Sequence, residues 1–141
     1  MSILNSTVDQ SLSPLVKAPI EREQLRRYAA ASGDHNPIHL DDAAARRVGL
    51  NGVIAHGMLS MAFLGQFVNQ QIADDPGARV GRLKVRYIAM VYPGDTLTCL
   101  GKVTARAEGE TETAITLECW AQNQRGEKVA TGEATVHVPH R

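Results

Sequence analysis

The segment "GMLSMAFLGQFV", residues 57–68, carries apolar side chains nearly all the way round a helical wheel. A helix of that kind cannot lie on a surface with one face in water. It must be wrapped by protein on most sides. Even with the preceding "IAH" it is too short, and too interrupted by Gly, His and Gln, to span a bilayer. The wrapping is encoded downstream. After Pro76-Gly77 come four strand-like runs, at roughly 80–91, 95–107, 112–124 and 127–138, with turn chemistry at Tyr92-Pro93-Gly94-Asp95 and from Asn123 to Gly126. Leu97, Cys99 and Val103 share one face of a strand, and Ile115, Leu117 and Cys119 share one face of the next. In the last run Ala130, Gly132, Ala134, Val136 and Val138 alternate inward. Small residues there, with Gly101 nearby, let a helix lie close against the sheet. The expectation is an α+β chain in which an antiparallel sheet curls around one central apolar helix.

Upstream, residues 1–13 read as a polar, flexible lead-in, and 14–20 as a short first strand. "EREQLRRYAAASG", residues 21–33, has helical spacing with Leu25, Tyr28 and Ala29 on one face and Gly33 as its stop. Asp41 or Asp42 caps a second short helix, "AAARRVG", that Gly49 ends. At 141 residues, without repeats or linkers, residues 1–141 are expected to form one domain. The 15 basic residues balance the 15 acidic ones, and aromatic content is only 4%. Neither nucleic acid nor an anionic membrane is therefore an expected partner. The opening "MSILNSTVDQ" lacks a signal-peptide pattern, and Cys99 and Cys119 form no CxxC pair, so a cytoplasmic protein with two inert thiols is expected.

The chemistry-bearing residues cluster in "SGDHNPIHLDD", residues 32–42. Pro37 has no amide hydrogen and keeps Asn36 out of helical dihedrals, so the stretch is a rigid loop. That removes the shared helical face on which His35 and His39 would act as metal ligands. A calcium loop fails as well, because Ala45 stands where a twelfth-position carboxylate is needed. No metal is expected. Asp34 and His39 are types that move protons near neutral pH, and a loop held by Gly33 and Pro37 can point both into one cleft. Equally, Asp34 can cap backbone amides while His39 is a satisfied structural histidine. The residues alone leave both readings open. A second piece is "IAHGML", residues 54–59. Gly57 stands at the start of the apolar helix, where free amides favour developing negative charge and a glycine lets a carbonyl approach. Taken alone, Gly57 need do no more than start the helix.

The run "YAAASGDHNPIHLDDAAARRVGLNGVIAHGMLS" resembles the hydratase motif of the MaoC-like family, and the similarity continues through "VRYIAMVYPGDTL". That family includes (R)-specific enoyl-CoA hydratases and short dehydratase subunits acting on 3-hydroxyacyl thioesters. The resemblance implies a hot-dog fold, and reversible hydration of 2-enoyl thioesters to (R)-3-hydroxyacyl thioesters. By match to the motif, Asp34 and His39 become the catalytic pair and the Gly57 amide the donor to the thioester carbonyl. Asn36 orders the loop, and His56 and Ser60 support the site. A supporting serine further along the helix in the (R)-specific hydratases has its counterpart here at or near Gly65, so that support is expected to be missing. No cofactor is implied; coenzyme A or acyl carrier protein carries the acyl group. A homodimer or higher oligomer is expected, with an unlike partner subunit as a further possibility. The rival readings are a hot-dog thioester hydrolase and a non-catalytic acyl-binding subunit. Arg82, Lys84 and Arg86 read as a solvated strand face rather than a phosphate site, and Trp120 as an interface residue.

Overall fold

A computed structural model describes residues 2–141. The chain order is β1 (Leu15–Val16), α1 (Arg22–Ser32), α2 (Asp42–Arg47), α3 (Gly57–Gln71), β2 (Arg79–Tyr87), β3 (Thr98–Glu108), β4 (Glu112–Gln122) and β5 (Lys128–Pro139). The strands form one antiparallel sheet in the order β1-β3-β4-β5-β2. Register shifts at Val80/Arg82, Val103/Ala105 and Ala121/Gln122 add local twist, which curls the sheet. Its concave face carries the alternating set expected from the sequence. Leu97, Cys99, Val103, Ile115, Leu117, Cys119, Ala130, Ala134, Val136 and Val138 are all fully buried.

Helix α3 lies on that face through Leu59, Phe63, Leu64, Phe67 and Val68. The approach is close because Gly101 has no side chain. A Cβ there would come within 3.0 Å of the Phe67 ring and 2.5 Å of the Glu118 carbonyl oxygen. The sheet curls over the helix as expected, but the cover leaves one face open, short of the wrapping on most sides that so apolar a helix predicts. Met58 is 56% exposed, and Ala62, Gln66, Asn69 and Gln70 also face out. A single five-stranded sheet can curl over only one side of a helix.

The lead-in is another correction. Residues 2–13 are docked along the sheet, while Met1 lies outside the described residues. Asp9 N–H donates to Val103 O at 2.8 Å, and Leu12 N–H to Gly101 O at 2.9 Å. Ile3 enters the core, its amide donating at 2.9 Å to the buried Asp75 carboxylate, which also accepts from Ser2 Oγ. The polar composition hid two causes: three apolar anchors (Ile3, Leu4, Leu12), and the unpaired edge of β3, whose backbone groups need partners. The first strand is correspondingly short, two residues rather than the run 14–20.

On the outer face, Arg82, Lys84 and Arg86 are exposed as a solvated row. Trp120 is half-buried beneath the Lys128 ammonium, 4.5 Å from the ring centre. No helix among the described residues is long and apolar enough to cross a membrane. The tight α3–sheet contact gives a direct test. Gly101→Ala should lose about 1–3 kcal/mol of stability through overpacking, read as a lower urea midpoint at unchanged slope.

Candidate active site

Helix α1 ends where Gly33, at φ 78°, takes the left-handed conformation and its amide bonds back to Ala29 O. Short-range hydrogen bonds then set the loop. Asp34 N–H donates to Ser32 Oγ and Asn36 N–H to Asp34 Oδ1, both at 3.2 Å. The Asn36 side chain accepts from Ile38 N–H at 3.2 Å and caps the 3-10 turn Pro37–His39, with Pro37 at its start. Asp41, of the two candidates, caps α2 by accepting from Ala43 N–H. Asp42 instead accepts from Val53 N–H at 2.9 Å and pairs with Arg22 at 3.0 Å. Those two contacts hold its carboxyl below the usual aspartate value.

That clamp brings the segment before α3 alongside the loop. Ile54 N–H donates to Ile38 O at 3.1 Å, and His39 Nδ1 lies 2.8 Å from Ile54 O. A carbonyl can only accept, so Nδ1 carries the ring proton and Nε2 of neutral His39 presents a lone pair. That nitrogen faces Asp34 Oδ2 at 3.8 Å. The separation is too long for a direct hydrogen bond and short enough for one water, seated beside the N···O line, to bridge both atoms. His39 is buried, whereas the Asp34 side chain is 49% exposed.

His56 precedes α3 and lies under this pair. Its ring stacks on His39 with centroids 3.9 Å apart and planes 25° apart, and Tyr28 packs against its other surroundings at 4.8 Å. Burial holds His56 below the ordinary imidazole value, and the neighbouring His39 acts in the same direction. Donor atoms of Asp34, His39 and His56 lie within 4.8 Å of one another, so these are the residues that a metal ion would use. The lone pairs of the two stacked rings lie in nearly parallel planes, a poor arrangement for converging on one ion.

A cleft of about 170 Å³ opens beside His39, lined also by Ile54, Ala55, Gly57, Ser60, Tyr87, Met90, Val91 and Val129; Asp34 is not part of the lining. Gly57 and Ser60 are therefore on the cleft, Gly57 in the first turn of α3 with no side chain capping the helix start. His35 is exposed and makes no part of the lining. Gly65 stands two turns along, half-buried, with Leu83 the side chain nearest to the position its Cβ would take. It does not line the cleft, and Ser60 does. Sequence reasoning missed Tyr87, whose ring covers Gly57: a Cβ on Gly57 would meet it at 3.2 Å. Tyr87 comes from the end of β2, and no local pattern marks it as a neighbour of α3.

The buried His56 has a consequence for pH. Its folded-state value lies below the unfolded imidazole value near 6.5. The unfolded chain then binds the extra proton first, so stability is complete above about pH 6.5 and falls as pH drops toward the folded value. Asp42, held low by the Val53 amide and then by Arg22, and Glu112, held low by Arg79, titrate further down. Urea midpoints should decline as pH falls below about 6.5 in the native chain, and His56→Phe should flatten that decline.

Comparison with known proteins bears on this arrangement. The MaoC-like domain model matches residues 4–134. The (R)-specific enoyl-CoA hydratase of Aeromonas caviae is 31% identical over 134 residues, covering 92% of this chain and 98% of that protein. The solved (R)-hydratase from A. caviae, involved in PHA biosynthesis, superposes with a TM-score of 0.83 at 30% identity, over 96% of this chain and 98% of that one. The fatty acid synthase beta subunit TOXC of Cochliobolus carbonum is 34% identical over 125 residues, and this chain spans 6% of its length. The fold is accordingly the hot-dog fold, and the chain belongs to the MaoC-like family.

Proposed function

We propose that this chain reversibly hydrates 2-enoyl thioesters to (R)-3-hydroxyacyl thioesters, with Asp34 and His39 as its acid–base pair. The observation that carries the reading is the 3.8 Å gap between Asp34 Oδ2 and a His39 Nε2 whose lone pair is free because Nδ1–H is engaged by Ile54 O. A water held in that gap donates one hydrogen to each side chain and keeps an oxygen lone pair for attack. As the C3–O bond forms, a water proton passes to the pair, and the pair returns a proton to C2. Oxygen and hydrogen arrive on one side of the double bond, and no net proton is gained or lost.

Negative charge develops on the thioester oxygen as C3 is attacked. The Gly57 amide, at the uncapped start of α3, is the donor we assign to it. A donor aimed at that oxygen in a dry site is worth about 3 kcal/mol. Ile54, Ala55, Val91 and Val129 make the inner cleft apolar, which suits an acyl chain. The carrier, coenzyme A or acyl carrier protein, supplies binding energy remote from the reacting carbons. The relation to an (R)-specific enoyl-CoA hydratase along nearly its whole length supports the same chemistry. Both cysteines are free and buried, with Cys99 pushed up to about 12 by burial, which supports a reducing compartment such as the cytoplasm.

The oligomer belongs to this reading. Met58, Tyr87, Ile88 and Met90 are each close to half exposed or more; Tyr87 and Met90 line the cleft, Met58 touches the Tyr87 hydroxyl, and Ile88 lies between the two lining residues in the chain. A second copy of the chain is the occupant we assign to that apolar face. Sedimentation should give twice the chain mass, and Ile88→Lys should shift the protein to the monomer.

The decisive assay follows the enoyl-thioester absorbance band with crotonyl-CoA. Wild-type protein should consume the band, and Asp34→Asn and His39→Ala should each cut kcat by about 10²–10⁴-fold while circular dichroism stays native. Activity surviving both substitutions would sink the pair. Release of free thiol in place of double-bond loss would make the chain a thioester hydrolase.

A further inference from the structure

We infer that His56 is the positioning residue that keeps Asp34 and His39 in register, an inference that rests on the hydratase reading above. The Asp34 side chain is half exposed on a loop; its Oδ1 accepts from Asn36 N–H, its backbone N–H donates to Ser32 Oγ at the end of α1, and both partners are two residues away. The bonds from Ile38, His39 and Asp42 to Val53 and Ile54 fix the far end of the loop, and the Asp34 end is left to its sequence neighbours. His56 supplies an outside anchor: its Nε2 lies 3.1 Å from the Asp34 carbonyl oxygen and donates to it. The same ring lies flat against His39 at 3.9 Å. One side chain therefore touches the backbone of the first member of the pair and the ring face of the second. It also immediately precedes Gly57, so the proposed oxyanion donor is tied to the same point.

His56 takes no part in the chemistry directly. It is 1% exposed and does not line the cleft. Its Nδ1 is buried without a hydrogen-bond partner, a cost that a phenyl ring in the same slot would not carry. What imidazole adds over phenyl is the Nε2–H bond to Asp34. What it adds over an aliphatic amide is a flat face for His39. The groups facing it are Asp34 from the loop, His39 from the 3-10 turn and Tyr28 from α1. Burial favours its neutral form. A neutral ring lets His39 accept a proton without a second cation stacked against it, and its π face attracts the cation that results.

Three variants separate the two contacts. His56→Gln keeps an N–H donor and loses the ring, His56→Phe keeps a ring and loses the donor, and His56→Ala loses both. With crotonyl-CoA, kcat per folded molecule should fall about 10-fold in the Gln and Phe variants and about 100-fold or more in the Ala variant. KM should stay within about twofold, since no substrate contact is removed. A crystal structure of His56→Ala should show the Asp34 carboxylate displaced from its 3.8 Å station opposite His39 Nε2. If that variant does not fold, the Gln and Phe proteins carry the same two measurements. Wild-type kcat in the variants, a loss confined to KM, or an unmoved Asp34 carboxylate would overturn the inference. The structural arm is read without turnover. A wild-type protein inactive on enoyl thioesters would therefore defeat the hydratase reading, and the anchoring contact would still be judged.

Discussion

The packing of α3 against the concave face of the sheet is the contact on which everything else depends. Phe67 and Leu64 are fully buried there, and Gly101 allows the ring of Phe67 to approach the strand more closely than any side chain would permit. A helix set that deeply has little freedom to slide or rotate, because interiors are packed at crystal-like density. Its N-terminus consequently emerges at one place, beside the end of β2 and the start of β5. That place is where Gly57, Tyr87 and Val129 meet. The site is a by-product of where a buried helix must begin.

The loop after α1 is bolted to that helix start through hydrogen bonds to the backbone of Val53 and Ile54. Asp42 reaches Val53 N–H, Ile38 O receives Ile54 N–H, and His39 Nδ1–H reaches Ile54 O. Each bond spans the same two segments, so the two motifs "GDHNPIH" and "AHGM" behave as one unit although they are far apart along the chain. This explains why a proline, an asparagine and a left-handed glycine are all spent on one connection. Gly33 reverses the chain, Asn36 caps the 3-10 turn, and Pro37 starts it. Together they present His39 with its Nε2 toward Asp34.

Much of this was legible because it is periodic or local. The alternating strand residues, the Gly33 stop and the α2 cap all follow from spacing and side-chain type over a few residues. Three features were not, and each depends on a partner distant in sequence. The lead-in looks free until the unpaired edge of β3 is placed beside it. Tyr87 looks like an ordinary strand residue until β2 is laid against the start of α3. The exposure of Met58 and Ala62 contradicts the apolar wheel, because periodicity reports that a face is apolar and says nothing of which body covers it. Ser60 and Gly65 show the same limit on one helix. Both are small residues on α3, and only the three-dimensional placement shows that Ser60 lies on the cleft while Gly65 faces Leu83.

Under the proposed hydration, the 3.8 Å spacing of Asp34 and His39 is a compromise between stability and chemistry. A direct hydrogen bond at about 2.8 Å would brace the loop better, and a buried ion pair would hold it harder still. Either would fill the space that a water needs and would engage the Nε2 lone pair that attack requires. Holding two polar groups just out of reach of each other demands rigidity from other sources. The chain provides it with a carbonyl for His39 Nδ1–H, a turn cap for the loop and a buried ring beneath both. The orphan Nδ1 of His56 shows the cost of that support: one buried acceptor is left unsatisfied so that the opposite edge of the ring can hold the Asp34 backbone. A site tuned for stability alone would have a phenyl ring there and a closed pair above it.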